Sequence, residues 1–354
     1  MLIKPFGLKF NRPLNFYRID TKTYSGIEKN LDCTIRAPRH SREELAQYVH
    51  RPEFRHAMFA SPATPPFSTN LASLRFVQEK LNIEEDPYVI SLRQQLAKEQ
   101  KPSQQWHRLD QKLSKVIRNQ DSFSHKGMRD FVRTAEDILS ELGTWCADWY
   151  VWAVLQKARE VIEPENTMMR SWKNSEKRYL KGILARVIAS PISYHPDDIA
   201  DESSDKLRVL IEVLLHEKEE TEQRNESYSG LIFVTRRDVV MALCEILISH
   251  PVTRDVFQVG SLLGSSDTTH RHSFLDITTR LGRDNQKSTL QDFKTGEKNL
   301  LISTSVAEEG IDVQACGSVI RWDPPQNIVS WTQSRGRARK QCVLILITLD
   351  SRLI

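Results

Sequence analysis

The sequence predicts an α/β fold: a parallel sheet lobe covered by helices on both faces, with an inserted all-helical subdomain. Three observations carry this expectation. From Gly230 onward, short apolar runs (GLIF, LLIS, SVIRW, CVLILI) alternate with helical patterns, and such alternation builds parallel sheets buried on both sides. From Leu71 to Ser190 the pattern is overwhelmingly helical, with Phe131, Ala135, Ile138, Leu139 and Leu142 spaced by threes and fours. Finally, the small hydroxyl residues Ser303, Thr304 and Ser305 follow the apolar run Leu300 to Ile302, at the carboxyl end of a buried strand, where open α/β sheets bind ligands.

The totals narrow the class. At 354 residues, 27% charged and 39% hydrophobic, the chain is long enough for two or three domains with their own cores and reads as globular. Its net charge of +4 is too small to identify a nucleic-acid binder, so only local clustering can do so. Five scattered cysteines (Cys33, Cys146, Cys244, Cys316, Cys342) form no CxxC, which excludes a zinc ribbon and suits reduced thiols in the cytoplasm or nucleus. The amino terminus has no uninterrupted apolar stretch to serve as a signal peptide. The longest aliphatic run, Cys342 to Ile347, is far too short for a bilayer, so no membrane partner is expected.

In chain order, residues 1–40 read as a connecting segment. Residues 41–196 read as the helical insertion, starting at a Ser41 cap with Glu44 three residues on. Trp145, Trp149 and Trp152 fall at helical spacing, read as core rather than as a base-stacking platform. Residues 197–229 read as an exposed acidic linker, DDIADESSD, then a helix from Asp205 whose end, HEKEETEQRNE, is a solvated charge run. Asp201-Glu202-Ser203-Ser204 has the start of a DExD/H box, but it lacks the last residue and a preceding strand. Residues 230–350 read as the sheet lobe. Its strands lie in GLIF, from Val259, at Leu300 to Ile302, at Ser318 to Trp322 and at Cys342 to Ile347. Thr268 to Asn285 reads as a polar, mobile insert, and Gln286 to Gly296 as a short helix packing Leu290 and Phe293 inward.

The chemistry concentrates between Leu300 and Lys340. Gly310 and Asp312 bring a close-approaching backbone and a carboxylate near the strand edge. Gln333-Ser334-Arg335-Gly336-Arg337-Ala338-Arg339-Lys340 places four cations in six residues, and guanidiniums grip phosphate oxygens through paired hydrogen bonds. Here the chain resembles the second motor lobe of superfamily 2 helicases, which is RecA-like. STSVAEEGID is similar to that family's motif V, QSRGRAR to motif VI, and Phe233-Val234-Thr235-Arg236 to motif IV. The pairing of TSVAEEGID with QSRGRAR, with IEKNLD and LGTWCADWY upstream, most resembles the helicase region of fungal-type Dicer-like proteins.

That resemblance implies RNA phosphate contacts for Thr235, Arg236, Thr304 and Ser305, and a nucleotide approach for Gly310 and Asp312. It also implies arginine-finger roles for Arg337 or Arg339, with Gln333 orienting the loop and Lys340 as a further cation. ATP would then lie in a site shared with another lobe, its Mg2+ not ligated by this chain. No Gly-Lys dipeptide, hence no phosphate-binding loop, occurs in the 354 residues. A DExD/H box and ribonuclease III acidic clusters are also missing. By itself the chain is therefore expected neither to hydrolyse ATP nor to cleave RNA. The implied partners are double-stranded RNA and a first helicase lobe or another helicase chain. A stand-alone, non-enzymatic RNA- or helicase-binding protein, or a piece of another superfamily 2 helicase, stays open.

Overall fold

The computed structural model describes residues 52–62, 64–162, 172–263, 274–275, 286–304, 316–325, 330, 333 and 338–350, with the backbone alone at 286 and 338–342. Six strands form one sheet, in the order β1 (Glu53–Phe59), β6 (Ala338–Leu349), β5 (Cys316–Arg321), β2 (Gly230–Phe233), β4 (Leu300–Ser303) and β3 (Val259–Leu262). Every neighbouring pair runs parallel. Ile232 stands between Ile302 and Ile320, and Leu231 between Leu301 and Val319. Because successive side chains point to opposite faces, these unbroken apolar runs supply two cores.

The first face (Ile232, Leu300, Ile302, Ile320, Ile345, Ile347) joins the core of the helices. On this side lie α8 (Asp205–Gln223), burying Leu207, Leu210, Ile211 and Leu214, and α9 (Arg237–Ser249), burying Val239, Val240, Leu243 and Leu247. The second face (Leu231, Phe233, Leu301, Val319, Leu344) is covered by α10 (Gln286–Thr295), which seats Phe293 with Leu290 beside it. The residue after this helix, Gly296, has φ +86° and ends it.

The helical subdomain comprises α1 (Thr69–Glu79), α2 (Pro87–Lys98), α3 (Gln104–Asn119), α4 (Phe123–Leu142), α5 (Thr144–Val161) and α6 (Asn174–Ala185). Serine caps at Ser68, Ser103 and Ser122 accept the first free amides of α1, α3 and α4. The stripe Phe131, Ala135, Ile138 and Leu142 is wholly buried. Trp145 and Trp149 are buried with it, and the indole of Trp145 donates to Ser193 O at 2.7 Å. They are core residues. α2 and α3 pair over a small core of their own, built from Val89, Leu92, Leu113 and Val116.

Four stretches differ from expectation. Residues 53–59, expected inside the helical insertion, are strand β1 at the edge of the sheet, paired with β6 from Glu53↔Val343 to Phe59↔Leu349. The expected acidic linker contains the short helix α7 (Pro196–Asp201), whose Ile199 is 1% exposed. The charge run at the end of α8 is not fully solvated. Glu217 and Thr221 are buried because i and i+4 fall on the stripe continuing Leu210 and Leu214. The insert Thr268 to Asn285 contributes Phe274, 1% exposed, its ring 6.0 Å from that of Phe131. The Ser41 cap lies outside the described residues.

One tie between the inserted helices and the rest of the chain is made at a glycine. Gly143, between α4 and α5, bridges Ser203. Thr144 N donates to Glu202 O and Ser204 N to Leu142 O, each at 3.0 Å. The α4–α5 corner and the start of α8 are thereby fixed together.

Candidate functional site

In the parallel sheet, the carboxyl ends of β2, β4 and β5 form one edge. Val234 N donates to Ser303 O at 2.9 Å and Trp322 N to Phe233 O at 3.0 Å, which carries the pairing one residue past β2 and β5. Thr235 then emerges exposed, its amide donating to Asp323 Oδ2 at 2.7 Å. Ser303 is buried, its hydroxyl 3.1 Å from Leu262 O and 2.8 Å from Thr304 O. Thr304 is only 6% exposed. Of the two described threonines proposed to meet a ligand, Thr235 presents itself and Thr304 stands behind the edge.

Arg236, the fourth residue of the motif IV pattern, turns to the inserted helices. Its Nη1 is ion-paired with Asp137 of α4, and its Nη2 lies 3.2 Å from Thr134 Oγ1 and 3.8 Å from Asp238 Oδ2. Burial pushes the Asp238 carboxyl up from its usual range, with Arg236 opposing the shift. Beneath it, the Tyr150 hydroxyl is fully buried and its pKa is pushed far up, first by burial and then by Asp238.

Beside Thr235 lies a second set of groups that sequence reasoning missed. Trp322, fully buried, donates its indole N–H to Glu141 Oε2 at 2.5 Å. Lys206, from the first turn of α8, has its ammonium 3.2 Å from Glu141 Oε2, 3.7 Å from Asp323 Oδ1 and 4.1 Å from the centroid of a Trp322 ring. One lysine therefore holds two carboxylates and an indole face, and one of those carboxylates holds the amide of Thr235. The signal was legible as Trp-Asp directly after the run SVIR, at a strand's carboxyl end. Its partners Glu141 and Lys206 carry no local mark. Arg321, 4% exposed, donates to Asp323 O at 3.3 Å and Ser330 O at 3.4 Å and lies over the Phe233 ring.

Ser305, Gly310, Asp312 and Arg337 lie outside the described residues, and Gln333 is half-buried. β6 begins at Ala338, opposite Cys316 at the amino end of β5, so the backbone of Arg339 enters the sheet at its far end. At strand rise that is roughly 17 Å from the edge bearing Thr235. Lys340 shares this strand.

One group of metal-type ligands occurs among the described residues: His216, Glu217 and Glu220. Arg55 already supplies their positive charge, its Nη1 2.8 Å from Glu217 Oε1 and its Nη2 3.6 Å from Glu220 Oε2. The cluster is an ion-paired seam between β1 and α8. Positive charge is concentrated elsewhere, on the α2–α3 pair: between Tyr88 and Gln120 seven lysines and arginines face two acidic residues. Lys98, Arg108 and Lys112 line a groove of about 320 Å³ there. No helix among the described residues is long and apolar enough to cross a membrane.

Comparison with known proteins agrees with this architecture. Residues 205–341 match the helicase conserved C-terminal domain. The chain is 32% identical to Dicer-like protein 2 of Aspergillus terreus over 344 residues, covering 95% of this chain and 23% of that protein. It is 32% identical to Dicer-like protein 2 of Cryphonectria parasitica, over 94% of this chain and 22% of that one. The chain thus spans under a quarter of the length of these relatives. The Hef helicase domain of Pyrococcus furiosus covers 94% of this chain and 62% of its own at 16% identity, with a TM-score of 0.42, too low to bear on the argument. With a RecA-like sheet, the helices inserted into it and these relatives over nine-tenths of its residues, the chain carries a helicase conserved C-terminal domain related to that of the fungal Dicer-like proteins.

Proposed function

We propose that this chain forms the second motor lobe and helical insertion of a Dicer-like endoribonuclease that processes double-stranded RNA in RNA interference and antiviral silencing. Its own task is to hold the RNA backbone and to complete an ATP site whose other half belongs to a first lobe. The observation that carries the reading is Thr235: an exposed hydroxyl at the carboxyl edge of the parallel sheet, its amide fixed by Asp323. A hydroxyl fixed there suits a phosphate oxygen, and phosphate contacts set position without reading bases. The cationic α2–α3 pair gives a polyanion a second point of attachment.

ATP and its magnesium enter only as part of the shared site. Gly310, Asp312 and Arg337, which the resemblance assigns to the nucleotide, lie outside the described residues. The full chain should bind a blunt RNA duplex with an affinity that falls steeply between 50 and 200 mM salt, as phosphate-dominated binding does. Thr235→Ala should weaken it about fivefold, the loss of one hydrogen bond worth about 1 kcal/mol. An isotherm unchanged across that salt range would refute the assignment. ATP turnover should be absent until a first lobe is added.

A further inference from the structure

The guanidinium of Arg236 is already ion-paired, to Asp137 of the inserted helix and more loosely to Asp238. The residue sits at the carboxyl edge, next to exposed Thr235, yet its guanidinium is turned to α4 and held by the Asp137 carboxylate and the Thr134 hydroxyl. The side chains of Arg236 and Asp137 are 32% and 42% exposed. Ion pairs at this depth are screened by solvent and contribute little. A phosphate oxygen arriving at Thr235 offers the neighbouring guanidinium a charge-assisted bond in place of the carboxylate.

We propose that Asp137 is a built-in competitor for nucleic-acid phosphate: the inserted helix α4 withholds Arg236 from the sheet edge until an RNA backbone displaces the carboxylate. This rests on the reading of the edge as an RNA surface. Asp238, at 3.8 Å, is beyond hydrogen-bonding distance from the guanidinium and stays on the same element in either arrangement. Asp137 belongs to the insertion, so the exchange reports phosphate arrival to helices that sit on the lobe. What then remains between α4 and the edge is the contact of Glu141 with Trp322 and Lys206.

The test is duplex binding by the full chain across a salt series. Asp137→Asn keeps the side-chain shape and removes the competing charge. It should bind three- to tenfold tighter at low salt, and because the displaced carboxylate leaves the same phosphate contacts in both complexes, the slope of log affinity against log salt should keep the wild-type value. Asp130→Asn makes the same charge change on the same helix, where Asp130 pairs with Arg133, and should give less than half of that gain. Arg236→Gln should weaken binding and flatten the slope by about one phosphate contact, and adding Asp137→Asn to it should change neither further. An Asp137→Asn gain no larger than that of Asp130→Asn, or one that survives loss of Arg236, overturns the competition while leaving the RNA reading intact. Wild-type chain that fails to bind the duplex even at low salt overturns both.

Discussion

At Gly143 the backbone adopts φ +104° and ψ −178°, a region that essentially only glycine occupies. A Cβ there would also run into Glu202 O and lie 2.7 Å from Ser204 N. Gly143→Ala should therefore destabilise the chain by about 3 kcal/mol or more, since strain and backbone displacement act together, read as a lower denaturant midpoint. His125 is 2% exposed, with Nε2 3.2 Å from the Tyr179 hydroxyl. Burial pushes its pKa below the ordinary 6.5; Asp86 works against this shift and Arg129 with it. The unfolded chain thus takes up the proton first, so this stability is complete above about pH 6.5 and is lost as pH falls toward the folded value. Denaturation between pH 7 and 5.5 should show that decline, and His125→Gln should flatten it. Trp322→Phe should cost about 1.5–3 kcal/mol, because Glu141 loses a charge-assisted bond. Thr235 was readable in the sequence as a hydroxyl just past an apolar run. The partner of Arg236 was not: Asp137 is one more polar residue on an amphipathic helix, and only the fold brings it ninety-nine positions nearer.

At the scale of elements, legibility followed burial. β2, β4 and β5 are flanked on both sides, so each carries a short apolar run (LIF, LLI and VI) and could be located within a few positions. β1 is an edge strand whose burial alternates between exposed and half-buried, and EFRHAMF therefore looks like anything but sheet. Its attachment is electrostatic as well as apolar. Arg55 bonds Glu217, whose side chain is 3% exposed, and burial raises the Glu217 pKa, with Arg55 opposing. Arg55→Ala leaves that carboxylate without its cation and should cost about 1–3 kcal/mol. Amide hydrogen exchange should show the loss first along β1, before β2 or β4. α7 was hidden by the same logic, because six residues with one buried isoleucine give too little periodicity to separate a helix from a linker.

For the whole molecule, class and lobe architecture were legible because strand and helix patterns alternate over more than a hundred residues. The composition of the edge was not, because its groups come from α4, α8, β2 and β5, which no local window spans. Net charge also misleads at this scale. The excess of +4 hides a cationic helix pair, and replacing Lys98, Arg108 and Lys112 with glutamine should flatten the salt dependence of duplex binding by up to about three phosphate contacts, leaving thermal stability within a degree or two. One consequence of the sheet order concerns synthesis. Glu53 finds its mate in Val343, 290 positions later, and translation at about 5–20 residues per second puts roughly 15–60 s between them. Over that interval the ribbon can rest only on α8, which is made about 120 residues earlier than Val343 and supplies Glu217 to Arg55, while its hydrogen-bonding edge waits open for the closing strand.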